Sequence, residues 1–185
     1  MMKQKRLRAT ALLFAAALLA VTASGASAAS REELDRNGRQ ALADLYAQQD
    51  SARILGEKAR AILVFPRIVK AGFMFGGQLG EGVLLAGGTP RGYYNSFAAS
   101  YGLQAGFQWF GYALFFMNDA ALAYLDKSDG WEVGVGPSIV VVDAGMGKSL
   151  TSTTLTHDVY AFIFGQKGLM AGIGIQGSKI SKVSK

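Results

Sequence analysis

The stretch of sequence that decides the fold is 63-LVFPRIVKAGFMFGGQLGEGVL-84. It joins an apolar run, a proline, two cations and five glycines in one short segment. Residues 61–65 are continuously apolar, which predicts a short buried strand. Pro66 has no backbone N–H to donate, so we expect this strand to end there. The sequence thus predicts a change from buried strand to glycine-rich, bent chain at residue 66.

The sequence beyond Pro66 has β-strand character up to Ile180. Aromatic and β-branched residues alternate with glycine or small residues, and glycine-rich turns separate the runs. Glycines at alternate positions, such as Gly134 with Gly136 and Gly172 with Gly174, leave one face of a strand bare and permit strong bending. One helix, capped by Asn118 or Asp119, is predicted over residues 120–125. The predicted strands cover residues 69–78, 82–86, 92–98, 103–116, 131–136, 139–142, 159–164 and 169–176.

Two helices are predicted before the strands. Residues 31–48 place Leu34, Leu42 and Leu45 on one face, with Ser30 as N-cap, although Gly38 weakens this helix. A second helix is predicted from residue 51 to about residue 60. The predicted fold class is therefore α+β. It has a mostly antiparallel, strongly curved sheet, open or barrel-like, with N-terminal helices and one inserted short helix.

The first 28 residues have the pattern of a secretory signal peptide. Four cations precede the apolar run 9–21, and Ala26-Ser-Ala28 fits a cleavage site. We expect cleavage after Ala28, leaving a single domain over residues 29–185 in the periplasm or outside the cell. An uncleaved anchor is the alternative, which the good fit of the cleavage site disfavours. The chain has no cysteine, which excludes both disulfides and lipidation at a cysteine.

Signal cleavage also changes the charge of the domain. Four of the 19 Lys and Arg residues and none of the 13 acids lie in residues 1–28, so the net charge falls from +6 to +2. A domain with so small a net charge is not a strong nucleic-acid binder on charge alone. We therefore expect no nucleic-acid partner, and any attraction to an anionic surface has to come from local clustering of cations.

The chemistry-bearing residues do not predict an enzyme. His157 is the only histidine, and no G-x-S-x-G elbow is present. Acids such as Glu81 and Asp158 could pair in space, but caps, turns and solvated faces are their usual roles. Gly145-Met-Gly-Lys-Ser149 resembles part of a phosphate-binding loop, yet Val142 stands where that motif needs glycine and no helical pattern follows. We expect no catalysis, no nucleotide, no metal and no cofactor.

A locally basic segment is the strongest candidate for binding. Its cations are Arg53, Lys58, Arg60, Arg67 and Lys70, and phenylalanines such as Phe65 and Phe73 lie beside them. Cations next to aromatic side chains suit an anionic headgroup and the upper part of an acyl layer. The alternative is a solvated helix edge beside core phenylalanines, which the residues alone slightly favour.

The same stretch also carries a family resemblance. Together with segments 92–95, 102–106, 114–119, 134–137 and 165–174, in this order and spacing, it resembles the bacterial secreted branch of the SYLF lipid-binding family. The resemblance covers roughly residues 41–180. It implies a non-catalytic protein that binds anionic phospholipid or a membrane surface, and it favours Lys58, Arg60, Arg67, Lys70 and Phe73 as the lipid-binding residues.

Two other functions have to be weighed against lipid binding. Cytoplasmic eukaryotic members of the family resemble actin regulators, a role that the predicted signal peptide makes implausible for this chain. The second is an envelope protein–protein interaction module, which would bind a partner through a sheet edge or an apolar groove without specific lipid binding.

Overall fold

The computed structural model of the protein describes residues 28–127, 130–142, 155–169 and 178–185. The helices are α1 (Arg31–Gln48), α2 (Asp50–Gly56) and α3 (Asp119–Leu122), and α3 continues as a 3-10 turn over Ala123–Asp126. The strands are β1 (Ala61–Ala86), β2 (Thr89–Phe116), β3 (Trp131–Glu132), β4 (Ile139–Val141), β5 (Val159–Leu169) and β6 (Lys179–Val183). The glycine–lysine segment 145–149 and most of the predicted strand 169–176 lie outside the described residues.

The sheet is built on one long antiparallel ribbon of β1 and β2. The pairing runs from Ala61 opposite Phe116 to Ala86 opposite Thr89, and Gly87 and Gly88 form the turn with φ of 56° and 77°. The other edge of β2 pairs with β5 near one end and with β6 near the other, both antiparallel. β4 lies parallel to β5, and β3 lies antiparallel to β6. The predicted α+β class with a strongly curved sheet is confirmed, since the sheet curls into a half-barrel.

The prediction that Pro66 ends a strand is wrong. β1 continues through Pro66, and the predicted strands 61–65, 69–78 and 82–86 are parts of one strand. The register with β2 shifts between Phe65 and Ile68, so Pro66 and Arg67 lie in an irregularity of the pairing. A proline is tolerated there because its missing N–H interrupts no regular hydrogen bond of the ladder. The ribbon bends at this point instead of ending.

Two other strand predictions need correction. The predicted strand 131–136 ends at Glu132, because Gly134 and Gly136 have φ of 101° and 99°, which is turn geometry. These two glycines therefore do not share one face of a strand. The predicted strands 92–98 and 103–116 are both parts of β2, and β6 at Lys179–Val183 was not predicted.

The helices agree more closely with the sequence. α1 has the predicted bounds, and the Ser30 Oγ accepts a hydrogen bond from the Glu33 backbone N–H at 3.1 Å. Gly38 has a packing reason, since a Cβ at this position would lie 2.3 Å from Val83 Cγ1. α2 ends at Gly56, earlier than predicted. Asn118, not Asp119, caps α3, and its Oδ1 accepts from the Ala121 backbone N–H at 2.8 Å.

The sheet has apolar cores on both faces. On the face covered by α1 and α2, here called the outer face, the buried residues include Leu45, Leu55, Val64, Val83 and Phe115. On the opposite, concave face, here called the inner face, α3 and β3 supply cover, and the buried residues include Leu63, Leu114, Phe116, Leu125 and Trp131. Both cores are concentrated where covering elements lie over the ribbon.

Candidate functional site

The middle of the ribbon, residues 67–80 of β1 with 95–109 of β2, has its polarity reversed. Three large apolar side chains are exposed there: Leu79 at 62 %, Phe97 at 52 % and Phe107 at 45 %. Polar side chains are buried in the same part of the ribbon, namely Lys70, Gln78, Ser96 and Gln108. Folded proteins usually bury the first kind of side chain and expose the second. An arrangement of this kind indicates that the outer face meets something other than water.

The exposed apolar residues share the outer face with Val69 and Trp109. Leu79 lies directly opposite Phe97, and Val69 lies opposite Trp109, so each pair shares a face. The rings of Phe107 and Trp109 pack edge to face, with 5.4 Å between their centroids. We call the set Val69, Leu79, Phe97, Phe107 and Trp109 the apolar strip. It presents aliphatic and aromatic side chains from both strands on the same face of the ribbon.

Two cations adjoin the tryptophan of the apolar strip. The Arg67 guanidinium carbon lies 5.2 Å from the centroid of the Trp109 ring, within cation–π range. Lys167 on β5 lies directly opposite Trp109 on the other edge of β2. Trp109 therefore has a positive side chain on each side. Tryptophan with flanking cations is an arrangement suited to the boundary between water and lipid.

Arg67 also lines two adjacent grooves. The larger, of about 750 Å³, lies between the N-terminal half of α1 and the ribbon, and its wall includes Leu34, Val69, Leu79 and Phe97. The smaller, of about 370 Å³, is lined by Trp109, Phe164 and Lys167 together with Ala41 and Asp44 of α1. The larger groove is mainly apolar, whereas the smaller brings two cations together. Arg67 thus lies at the border between an apolar groove and a groove lined by two cations and one acid.

The inner face closes because glycine allows the two halves of β1 to pack against each other. A Cβ on Gly80 would lie 2.8 Å from Ile68 Cγ1 and 3.1 Å from the Arg67 carbonyl oxygen. A Cβ on Gly82 would lie 2.6 Å from Phe65 Cδ1 and 2.9 Å from the Val64 carbonyl oxygen. β1 therefore curls until residues 80–82 reach residues 64–68. The same curl encloses the polar side chains of the middle of the ribbon.

Several of these enclosed polar groups lack partners. Among the described residues, the unpaired atoms are Gln78 Nε2, Ser96 Oγ, Gln108 Oε1 and the Tyr112 hydroxyl. All four lie on the inner face, and leaving such a group unpaired costs about 1–3 kcal/mol. Burial also raises the pKa of the Tyr112 hydroxyl far above its ordinary value, so it stays protonated. The fold thus buries these unpaired polar groups on the inner face, although Leu79, Phe97 and Phe107 stay exposed on the outer face.

The structure separates the residues predicted to bind lipid. Arg67 is exposed beside the apolar strip, whereas Lys70 is 8 % exposed and lies on the inner face opposite Gln108. Lys58 and Arg60 precede β1 and line neither groove, and Arg60 lies 3.9 Å from Asp119 across an exposed ion pair. The side chain of Phe73 lies outside the described part of the structure. Lipid binding by these five residues stays a prediction, and among the four whose side chains are described only Arg67 lies beside the apolar strip.

Sequence reasoning missed the central members of the site. Leu79, Phe97, Phe107 and Lys167 were not among the predicted binding residues. Leu79 is flanked by Gln78 and Gly80, which is the alternation of a strand with one apolar face. That alternation shows that Leu79 lies on the same face of the strand as the residues two and four positions away. It does not show whether the face is covered, and here it is not.

Asp158, one of the acids that could have served catalysis, has a structural role. Asp158 accepts hydrogen bonds from the Ser138 backbone N–H at 2.9 Å, from Asn118 Nδ2 at 2.8 Å and from Ser138 Oγ at 2.8 Å, and these bonds lower its pKa. Within the described ranges, no cluster of three or more metal-ligating side chains occurs. No helix in the same ranges has the length and apolar character needed to cross a membrane. The site offers surfaces for contact, which is the character of a binding domain.

The comparison with known families agrees with this class. A family model described as "Ysc84: Las17-binding protein actin regulator" matches residues 97–185, which include most of β2 and all later strands. This match is consistent with the SYLF family, whose domain is a binding domain. The matched range covers Phe97, Phe107, Trp109 and Lys167 but not β1, where the resemblance in the sequence is most detailed. A comparison with curated proteins finds no match for the chain.

Proposed function

We propose that this protein binds anionic phospholipid at a membrane surface of the bacterial cell envelope, without catalysis. The observation that carries the proposal is the reversed polarity of the middle of the ribbon. Leu79, Phe97 and Phe107 face outward while polar side chains lie buried behind them. Fully burying a side chain of this size contributes about 1.5–3 kcal/mol. An acyl layer would supply that burial, and water does not.

The cations set the orientation in this proposal. Arg67 and Lys167 flank Trp109 at one end of the apolar strip, so they would contact lipid phosphates while the strip enters the upper acyl region. Each cation near an anionic surface contributes about 1 kcal/mol. Lys70, which the sequence placed beside Arg67 in this role, is replaced by Lys167 because Lys70 is buried. Together, the apolar and cationic contributions favour weak, reversible docking, and the affinity should fall with added salt.

The envelope location rests on the predicted signal peptide. The family model is named for an actin regulator that binds Las17. We do not extend that role to this chain, because an exported protein would not meet a cytoskeleton.

The test is flotation of the processed protein with phosphatidylcholine vesicles, with and without phosphatidylglycerol. The variant Leu79→Ser/Phe97→Ser/Phe107→Ser should lose most of its binding while keeping its thermal stability. Val135→Ser/Val141→Ser is the matched control, because both valines are exposed apolar residues outside the strip. The control should float like the wild type. Equal loss in both variants would mean that general surface hydrophobicity, not the strip, causes flotation.

A second pair of variants separates the charges. Arg67→Glu/Lys167→Glu should abolish the dependence on phosphatidylglycerol, and Lys58→Glu/Arg60→Glu should not. If Lys58→Glu/Arg60→Glu loses the dependence on phosphatidylglycerol instead, the basic segment predicted from the sequence is the lipid site. If no variant changes flotation, or the wild type does not float, the lipid proposal is wrong. The apolar groove would then favour the protein-interaction alternative.

A further inference from the structure

The region around Glu81 joins the start of the mature chain to the ribbon. The Ala29 backbone N–H donates to Glu81 Oε2 at 2.9 Å. Lys185 Nζ donates to the other oxygen, Glu81 Oε1, and also to the Ala29 carbonyl oxygen at 2.9 Å. The two carboxylate oxygens are thus divided between two donors. One of the donors is the nitrogen that follows the predicted cleavage site.

We propose that Glu81 is a binding site for the α-ammonium group that signal cleavage creates at Ala29. Hydrolysis of the Ala28–Ala29 peptide bond adds the water oxygen to the Ala28 carbonyl carbon and leaves an amine on Ala29. That amine takes up a proton below its ordinary pKa of about 7.7–8.0. The hydrogen bond from a neutral N–H to the Glu81 carboxylate then becomes an ion pair, with opposite charges on donor and acceptor.

The site is built to hold a charged donor. Burial raises the pKa of Glu81, but the hydrogen bonds from Lys185 and from Ala29 lower it further than burial raises it, so the carboxylate is ionised. Ala29 itself packs against the outer core. The charged groups around the new terminus are Glu81 on β1, Lys185 after β6 and Arg31 on α1, whose guanidinium donates to the Lys185 carbonyl oxygen. Glu81 is the acid that contacts the terminus.

The ion pair would link processing to the larger groove. Ala28 and Ala29 both line that groove, beside Leu34 and Asn37 of α1. Cleavage removes Ala28 from the wall, and the new ion pair fixes the start of α1 against β1. The groove therefore reaches its final form only in the processed chain. This inference rests on the predicted cleavage position and is independent of what the groove binds.

The pH dependence has a definite sign. Glu81 favours the charged amine and so raises its folded-state pKa, whereas Lys185 opposes the charge and lowers it. The stability contributed by the Glu81 pairing is full below the unfolded pKa of about 8 and is lost as the pH rises through the folded value.

The experiment uses the processed protein from the periplasmic fraction. Its intact mass and its labelled N-terminal peptide establish whether Ala29 is the first residue. The pKa of the α-amine is then measured from the pH dependence of its reaction with a trace amine reagent. Relative to the wild type, Glu81→Gln should lower this pKa by about 1 or more, and Lys185→Gln should raise it. Glu132→Gln, an exposed acid on β3, should leave it unchanged.

Thermal melts supply the second readout. At pH 6.5 Glu81→Gln should melt about 2–4 °C below the wild type, and the difference should shrink above pH 9. An α-amine that titrates alike in the wild type and in Glu81→Gln would overturn the proposal, as would a first residue other than Ala29. Neither result depends on lipid, so failure here is distinct from failure of the flotation test.

Discussion

One end of the ribbon and its middle are built from the same two strands, yet they bury opposite kinds of side chain. At the end where Ala61 pairs with Phe116, apolar side chains are buried on both faces. In the middle, the outer face exposes Leu79 and Phe97 while the inner face buries polar groups. What differs is which element lies over each face.

This difference shows how a binding surface can be made without a dedicated loop. At the end of the ribbon, α1 and α2 cover the outer face and α3 covers the inner one. In the middle, α1 reaches only one side of the groove, so the outer face stays open. Curling of β1 encloses the inner face at the same place. The apolar strip is therefore a core-like surface that no helix or strand among the described residues covers.

The largest expected effect comes from comparing two phenylalanines of β2. Phe115 is fully buried at the end of the ribbon and packs edge to face on Phe162, with 5.1 Å between ring centroids. Phe115→Ala should lower the free energy of unfolding by about 3–5 kcal/mol, because it removes an aromatic ring from a packed core. Phe97→Ala in the middle should change it by no more than about 0.5 kcal/mol.

Urea denaturation of both variants measures this difference. Phe97→Ala should also weaken vesicle binding, whereas any loss of binding in Phe115→Ala should follow its loss of folded protein. If Phe97→Ala destabilises the domain as much as Phe115→Ala, the middle of the ribbon is a core and not a contact surface.

A smaller effect is expected from the glycines that allow the curl. Gly82→Ala would place a Cβ against the Phe65 ring and the Val64 carbonyl oxygen, and a backbone atom cannot move aside cheaply. We expect a loss of about 1–3 kcal/mol in the free energy of unfolding. Gly77→Ala is the matched control within β1, because its nearest neighbour, the Ala98 carbonyl oxygen, would lie at 3.6 Å.

Gly77→Ala should be neutral or should stabilise by about 0.4–1 kcal/mol, since alanine restricts the unfolded chain. Thermal melts of both variants supply the comparison. Equal stability of the two variants would show that β1 does not depend on close approach at Gly82, and the curl would need another cause.

The sequence predicted the parts of this architecture that depend on local pattern. α1 has its predicted bounds because a serine cap and an apolar stripe at helical spacing both act over a few residues. The β-character after residue 60 and the curvature from glycine are local for the same reason. The boundaries at Pro66 and Gly134 failed because they depend on register and on turn geometry, which the partner strands determine.

The site itself was less predictable, for physical reasons. Alternation along β1 assigns Gln78 and Leu79 to opposite faces, and the usual rule would bury the leucine. The reversed polarity arises because α1 does not extend over this part of the sheet and because residues far apart in β1 contact each other. The alternating sequence pattern carries no information on either feature. Lys167 comes beside Trp109 only through the pairing of β5 with β2. Arg67 could be predicted as a binding residue because the signals for it, Pro66 and the nearby cations, are close to it in the sequence.

The smallest expected effect concerns the hydroxyl groups of two buried tyrosines. Tyr112 lies on the inner face, stacks on Phe65 with 6.0 Å between ring centroids, and its hydroxyl has no partner among the described residues. Tyr160 on β5 is equally buried, but its hydroxyl accepts from the Thr156 backbone N–H at 3.0 Å and the His157 backbone N–H at 3.3 Å. The two residues differ in whether burying the hydroxyl is compensated.

Tyr112→Phe should therefore stabilise the domain by about 1 kcal/mol, because it removes a desolvated group that forms no bond. Tyr160→Phe should destabilise it by about 0.5–1.5 kcal/mol, because the Thr156 and His157 backbone N–H groups lose their acceptor. Thermal melts at neutral pH should show Tm shifts of opposite sign for the two variants. Each shift should be about 2–4 °C per kcal/mol for a chain of this size. Destabilisation of both variants alike would mean that the Tyr112 hydroxyl has a partner, such as a buried water. The inner face would then be satisfied by solvent, and the reversal of polarity would cost the fold less than the unpaired groups imply.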